Sequence, residues 1–83
     1  MKIKSIKINK GKQISKRVMS GFREQCIERE IVFESGEIIW IRNYKREPGS
    51  YYCNTDTGPG LILKGNIFDI IETAREILYR EEV

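Results

Sequence analysis

The side chains that most enzymes use for catalysis are scarce in this sequence. It contains no histidine, which removes the commonest general base, the usual activator of a serine or cysteine nucleophile, and the imidazole ligand of metals. Cys26 and Cys53 are 27 residues apart, and no other thiol completes a zinc site. One disulfide across neighbouring strands is an alternative, but two free, partly buried thiols are favoured. We therefore expect no catalytic residue, metal or cofactor, and no enzyme.

Two glycine-containing segments have the composition of known catalytic or phosphate-binding turns. Asp56-Thr57-Gly58 matches the turn of aspartic proteases, in which two aspartates share one proton. Those turns follow a hydrophobic strand, whereas this one follows Cys53-Asn54-Thr55. Gly58-Pro59-Gly60 lacks the Gly-Lys-Ser/Thr ending of a phosphate-binding loop. We interpret both segments as turns.

A more informative pattern is the alternation of aromatic and cationic residues in the segment 37–46. Side chains alternate across a strand, so Ile39 and Ile41 share one face. The other face then carries two rings and two guanidinium groups, contributed by Trp40, Arg42, Tyr44 and Arg46. Exposed rings stack on unpaired bases and cations hold the phosphate backbone, so this stripe predicts a platform for single-stranded nucleic acid. The alternative is structural, because Trp and Tyr favour strands and Arg covers aromatic rings. Neighbouring strands could extend the stripe through Tyr51, Tyr52 and Lys64.

The second feature with functional meaning is the uneven distribution of charge. Residues 1–23 carry a net charge of +8 with no acidic residue, whereas residues 24–83 carry −5. A segment this basic attracts polyanions, because each neutralised phosphate releases counterions. Two alternatives are that the lysines protect an exposed edge strand and that they pair with the acidic remainder. The lysines predicted to surround the platform are Lys2, Lys4, Lys7, Lys10 and Lys12.

The elements that position these residues are read from hydrophobic periodicity. Strand-like alternation occupies 2–8, with a slip or bulge, and the next four residues, Asn9-Lys10-Gly11-Lys12, are typical of a turn. Further strand-like segments are 25–34, 37–46, 51–53 and 61–63, while 13–22 is ambiguous. Residues 25–34 and 38–41 flank the compact turn Glu34-Ser35-Gly36-Glu37, which predicts an antiparallel hairpin. A helix is expected from Ile67 to about Arg80, with Asn66 as its N-cap and Asp69 in its first turn.

These elements predict one small α+β domain over residues 1–83. It consists of a basic segment (1–23), an antiparallel sheet of four to five strands (24–64) and one C-terminal amphipathic helix (66–80). A domain of this size is marginally stable alone, so a homodimer is an open alternative. No run of about 18 apolar residues and no secretion signal is present, so we expect a cytoplasmic protein without a membrane partner.

The segment Ile38-Ile39-Trp40-Ile41-Arg42-Asn43-Tyr44, a Pro-Gly loop, Gly58-Pro59-Gly60-Leu61-Ile62-Leu63 and a terminal amphipathic helix resembles a known family. These features, over about residues 33–78, are similar to the single-stranded-DNA-binding transcriptional coactivators of the positive-cofactor-four type. The resemblance implies a curved four-stranded sheet followed by one helix, a homodimer, and basic and aromatic side chains presented to unpaired DNA. This chain differs from the family pattern at Glu37, Trp40 and Pro59, and about 25 residues precede the matching region.

The leading hypothesis is therefore a non-enzymatic protein that binds nucleic acid, preferably single-stranded, in a regulatory role. The alternative is a protein-interaction module that acts as a small regulator or inhibitor of another protein. In that alternative, the acidic strand face formed by Glu28, Glu30 and Glu34, together with the N-terminal strand, would bind the partner by strand addition.

Overall fold

The computed structural model describes residues 2–10, 26–45, 47–56 and 60–79, without the side chain of Lys10. The elements in chain order are β1 (Ile3–Lys10), β2 (Cys26–Phe33), β3 (Ile38–Tyr44), β4 (Ser50–Asn54), β5 (Leu61–Lys64) and α1 (Ile67–Leu78). The strands form one sheet in the order β1-β2-β3-β4-β5, and each neighbouring pair is antiparallel. The predicted α+β fold, an antiparallel sheet followed by one C-terminal helix, is confirmed.

The hairpin of β2 and β3 forms the centre of the sheet, as the sequence predicts. Ile31 lies opposite Ile39, so apolar residues of both strands point to the same face. The turn is closed by a hydrogen bond from the Phe33 N–H to the Glu37 carbonyl at 2.9 Å. Gly36 has a φ of 95°, a conformation that residues with a Cβ rarely adopt.

Strand β1 forms one edge of the described sheet and pairs with β2. Its register shifts between Ile3 and Ser5, which confirms the predicted irregularity. The prediction that a turn begins at Asn9 is wrong, because Asn9 pairs with Glu28 and Lys10 pairs with Ile27. The strand continues because β2 extends back to Cys26, so Glu28 is available as a main-chain partner for Asn9. The rest of the predicted turn and the ambiguous segment 13–22 lie outside the described residues.

The hydrophobic core lies between α1 and the sheet face that it covers, here called the front face. Ile70, Ile71 and Ala74 of the helix are at most 2% exposed. They pack against buried front-face residues of three strands, namely Ile31, Phe33, Ile39, Ile41 and Cys53. The predicted apolar stripe of the helix is therefore the side that faces the sheet.

Contacts at both ends of α1 fix its position on the front face. At the N-terminus, the Asn66 side chain accepts a hydrogen bond from the Phe68 N–H at 2.8 Å, as expected of an N-cap. Near the C-terminus, Arg75 forms an ion pair with Glu37 at 2.8 Å, and its guanidinium lies 5.1 Å from the centre of the Phe33 ring. Tyr79 follows the last helical residue and caps the helix. None of the described helices is long and apolar enough to cross a membrane.

Candidate functional site

The predicted platform lies on the sheet face opposite α1, here called the back face. Residues directly opposite each other in antiparallel strands point to the same face. The register places Arg42 between Glu28 of β2 and Tyr52 of β4, and Tyr52 opposite Ile62 of β5. Trp40, Arg42 and Tyr44 therefore share one face, as the alternation predicts. Arg46 lies outside the described residues.

The expectation that the Trp40 indole projects into water is wrong. Trp40 is only 8% exposed. Its indole Nε1–H donates a hydrogen bond to the Glu30 carboxylate at 3.1 Å, so the polar edge of the ring is satisfied inside the protein. Trp40 belongs to the middle strand of the sheet, and Glu30 and Asn54 lie beside it on the adjacent strands. A ring in this position contributes to packing and is not available for stacking on a base.

The same correction applies to Tyr44, which is 9% exposed. Its ring packs edge-to-face against Tyr52, with centroids 5.4 Å apart and an interplanar angle of 83°. Burial raises the pKa of the Tyr44 phenol. Tyr44 lies opposite Cys26, whose thiol pKa is also raised by burial. These side chains form a second layer of packing on the back face.

The acidic strand face that the protein-interaction alternative required is not exposed either. Glu28 is completely buried, and Glu30 accepts the hydrogen bond from Trp40. Only Glu34, in the turn after β2, is exposed. The alternation of charge along β2 was correctly assigned to one face, but Glu28 is buried there and Glu30 is half-buried with its carboxylate bonded to Trp40. They are therefore not a docking surface.

Arg42 is the platform residue whose polar groups are least satisfied within the protein. Its Nη2–H donates to the Asn54 side-chain oxygen at 3.4 Å, which is long for such a bond. Its Nε is buried and has no hydrogen-bond partner. Within the described part of the chain, the guanidinium forms no ion pair. A buried donor without a partner is costly, typically about 1–3 kcal/mol, so this group would gain from a ligand that supplies an acceptor.

A cleft of about 310 Å³ adjoins Arg42 on the side of β4 and β5. The residues that line it are Arg42, Tyr52, Cys53, Asn54, Gly60, Leu61 and Ile62. Ile62 is 57% exposed and adds apolar surface to the cleft. The cleft thus combines a guanidinium, a phenol ring, an amide and an apolar surface, a combination that suits a flat, polar ligand with a negative charge.

Gly60 is needed at the rim of this cleft because the chain approaches β4 closely. A Cβ at this position would lie 2.9 Å from the Cys53 carbonyl oxygen and 3.3 Å from the Asn54 Cβ. Real Cβ atoms do not approach a main-chain oxygen so closely. The absence of a side chain lets β5 begin beside β4 and leaves space in front of Asn54.

The charges around the cleft are mixed. Lys64 is exposed and lies two residues beyond Ile62, on the same face of β5. Lys45, just after β3, is also exposed. Against these cations, Glu47 accepts a hydrogen bond from the Tyr52 hydroxyl at 2.6 Å. This bond orients the Tyr52 ring, and Tyr44 supports it from the other side, so the ring is held in a defined position.

The predicted collar of lysines is only partly described. Lys2 is exposed just before β1, Lys4 and Lys7 are exposed along it, Lys10 is its last residue, and Lys12 lies outside the described residues. Lys7 lies opposite Glu30 and therefore points to the back face. It is separated from Arg42 by β2, so it extends the cationic surface toward the β1 edge and does not line the cleft.

The other residues considered for catalysis or metal binding form no reactive site within the described part of the chain. Cys26 and Cys53 are both free and buried, which confirms the expectation of two free thiols. They lie on opposite faces, and burial raises the pKa of Cys53 to about 11, so neither resembles an activated nucleophile. Asp56 is exposed, and the Thr57-Gly58 part of its motif lies outside the described residues. In the described ranges, no three His, Cys, Asp or Glu residues lie together as a metal site would require.

Sequence reasoning identified part of this site and missed the rest. Tyr52 and Lys64 lie on the back face, as suggested, but Tyr51 points to the front face and packs against the core. Asn54, Gly60 and Ile62 were not predicted, because the register that brings three strands together beside Arg42 is not visible in local alternation. The only signals of these residues in the sequence were the polar Asn54 at the end of β4 and Ile62 between two leucines.

No protein-family model, curated protein or solved structure matches this chain. Only the geometry of the described residues therefore indicates what the protein binds.

Proposed function

We propose that this protein is a non-enzymatic binding protein that holds single-stranded nucleic acid at the cleft beside Arg42. The observation that carries the proposal is the incompletely satisfied guanidinium of Arg42 at the wall of a 310 Å³ cleft that also contains Tyr52 and Asn54. The originally predicted platform of Trp40 and Tyr44 is not part of the proposal. Those rings instead lie beside the site on the same face, where Tyr44 packs against Tyr52 and Trp40 lies opposite Asn54.

The chemistry of the cleft matches the parts of one nucleotide. Arg42 is placed to contact a phosphate, since guanidinium groups bind phosphate oxygens through charge-assisted, often bidentate hydrogen bonds. Tyr52 and Ile62 offer surfaces for a base, and stacking on an aromatic ring contributes about 1–3 kcal/mol per base. The side-chain amide of Asn54 both donates and accepts hydrogen bonds and can contact a base edge.

The size of the cleft favours an unpaired strand over a duplex. Small-molecule sites typically measure about 300–1,000 Å³, so a cleft of 310 Å³ accommodates about one nucleotide unit. A base can enter such a cleft only when it is not paired, as in single strands and loops. Lys64 and Lys7, on the same face, would contact phosphates on either side of that nucleotide.

The decisive measurement is fluorescence anisotropy with a labelled 12-nucleotide oligothymidylate and a duplex of the same length, at 50 and 200 mM salt. We expect Arg42→Gln to weaken single-strand binding at least about tenfold, as hydrogen bonds to charged groups contribute about 1.5–3 kcal/mol. With three phosphate contacts, log K against log salt should have a slope of about −2, reduced in magnitude by about 0.7 in the variant.

Arg29→Gln is the matched control for this experiment. Arg29 also donates to an asparagine side chain, that of Asn43 at 2.8 Å, but it lies on the front face. We expect Arg29→Gln to change the affinity by less than about threefold. Equal losses in the two variants, or no binding at 50 mM salt, would refute the proposal. Circular dichroism of both variants checks that the fold is retained.

The remaining predictions are part of the same proposal. A regulatory role, a cytoplasmic location and a homodimer stay predictions, as does kinship with the single-stranded-DNA-binding coactivators. The protein-interaction alternative no longer draws support from the acidic residues of β2. It draws support from the outer edge of β1, which is a separate surface.

A further inference from the structure

The outer edge of β1 has the features of a surface for strand addition. It is eight residues long, and within the described part of the chain it pairs only with β2. Ile6 and Ile8 are 45% and 52% exposed, although both point to the front face, where the core lies. The helix covers the other end of that face, so these two side chains form an apolar surface beside the edge.

The main-chain groups of the same two residues point away from β2. The Glu34 N–H donates to the Lys2 carbonyl, so the even-numbered residues of β2 direct their main-chain groups toward β1. Their partners Ser5, Lys7 and Asn9 therefore form the bonded pairs with β2. Ile6 and Ile8 alternate with them and direct their N–H and C=O groups outward, where a further strand would bind.

The charge of β1 indicates which strand could bind there. The described part of β1 carries exposed Lys4 and Lys7, its last residue is Lys10, and it contains no acidic residue. Two copies of this edge paired with each other would bring like charges together, which disfavours cross-strand pairing. A partner strand with carboxylates would instead pair with the lysines directly or diagonally across the new ladder.

We propose that the outer edge of β1 binds an extended, acidic segment of a partner protein as a sixth strand. Apolar residues of that segment pack against Ile6 and Ile8 on the front face. Its carboxylates alternate with them and lie beside Lys7 on the back face. Main-chain hydrogen bonds supply the register, and the alternation of apolar and acidic residues supplies the specificity. A nucleic acid would use only the lysines and would leave the two isoleucines and the outward main-chain groups unmatched.

The test uses the full chain and an acetylated, amidated peptide of sequence TVEVEVET, with TVKVKVKT as the opposite-charge control. Titration into ¹⁵N-labelled protein should shift amide signals of β1 with the acidic peptide and not with the basic one. Ile8→Pro removes one outward N–H and leaves the bonds to β2 intact, since proline is tolerated on the open side of an edge strand. We expect it to weaken peptide binding at least about tenfold.

Two further variants keep the result interpretable. The double variant Ile6→Thr, Ile8→Thr retains strand propensity but removes apolar surface, so it should also weaken peptide binding. It tests the same surface in the event that Ile8→Pro does not fold. Ile77→Thr alters an isoleucine that is 42% exposed on α1 and should leave binding unchanged. Equal binding of the two peptides, unchanged binding by the edge variants, or signal shifts confined to β3–β5 would overturn the proposal.

The experiment also separates this surface from the cleft. Ile8→Pro should bind oligothymidylate as the wild type does, and Arg42→Gln should bind the acidic peptide as the wild type does. Displacement of the peptide by oligothymidylate in Arg42→Gln, whose cleft is impaired, would assign the β1 edge to nucleic acid, and loss of a dimer in Ile8→Pro would assign it to a second copy. Either result would overturn the acidic-strand proposal and leave the proposal for the cleft standing on its own measurements.

Discussion

The burial and the chemical properties of a single residue on this sheet depend on the face on which its side chain lies. Cys53, on β4, is 1% exposed and packs in the core beneath α1. Burial disfavours the thiolate and raises the pKa of this thiol to about 11, from 9.0 in an exposed cysteine. Arg42, one strand away on the opposite face, retains a polar atom without a partner. One residue is suited to packing and the other to binding.

The raised pKa of Cys53 predicts a pH dependence of stability. Below about pH 9 the thiol is protonated in both folded and unfolded chains; between about pH 9 and 11 only the unfolded chain ionises. The stabilising contribution is therefore complete below pH 9 and is lost as pH rises. Urea unfolding should show the free energy of unfolding falling by about 2 kcal/mol from this group by about pH 10.5.

Cys53→Ala isolates this effect from the titration of lysines and tyrosines. The variant lacks the thiol but retains every other titrating group, so its stability should fall less steeply between about pH 9 and 10.5. The difference in stability between wild type and variant should therefore shrink over that range. Parallel pH curves for the two proteins would contradict the prediction.

At the scale of elements, the helix is attached to the sheet by polar contacts as well as by the core. The Tyr79 hydroxyl donates to the Ile38 carbonyl at 2.6 Å and accepts from the Ile38 N–H at 3.1 Å. These two bonds link the C-terminal end of α1 to the first residue of β3. The Arg75 ion pair with Glu37 lies beside them and links the same two parts of the chain.

Removing the Tyr79 hydroxyl tests this attachment. Tyr79→Phe leaves the Ile38 N–H and C=O without their partner, and we expect it to lower the free energy of unfolding by about 1–3 kcal/mol in urea titrations. Tyr51→Phe is the matched control, because Tyr51 also packs against the core and its hydroxyl has no hydrogen bond within the described residues. It should change stability by less than about 0.5 kcal/mol. Equal effects of the two substitutions would show that the link does not stabilise the fold.

At the scale of the whole molecule, the uneven distribution of charge places several lysines on the edge strand β1. The chain has a net charge of +3, with its lysines concentrated toward the N-terminus. Long edge strands with exposed apolar residues tend to pair with other chains, and lysines oppose this. The β1 edge combines exposed Ile6 and Ile8 with exposed Lys4 and Lys7, so the lysines can exclude self-pairing while still accepting an acidic strand.

This account predicts the effect of neutralising the β1 lysines. The double variant Lys4→Gln, Lys7→Gln should self-associate more strongly than the wild type at the same concentration, because like-charge repulsion between edges is reduced. Light scattering coupled to size-exclusion chromatography measures the mass directly. Lys45→Gln, Lys64→Gln has the same net charge but leaves β1 unchanged, and should behave as the wild type. Association of both variants would attribute solubility to net charge and not to the edge.

Local pattern was sufficient for the elements of this protein. The alternation in β2 and β3, the glycine turn between them, and the asparagine before α1 each act over a few residues, so they can be read from the chain. For the same reason the sequence correctly placed Trp40, Arg42 and Tyr44 on one face. Asn9 was misassigned to a turn because the length of a strand depends on its neighbour as well as on its own residues.

What the sequence determined by itself is therefore the class of fold, the succession of strands and helix along the chain, and the face that Trp40, Arg42 and Tyr44 share. Tertiary structure alone decided which faces are exposed and which strands meet. The alternation of residue types along a strand does not indicate what covers a side chain, so it could not distinguish the buried Trp40 from a ring exposed to water. The candidate site moved to the cleft beside Arg42 because that cleft is formed by residues from β3, β4 and β5, whose proximity depends on register and close packing.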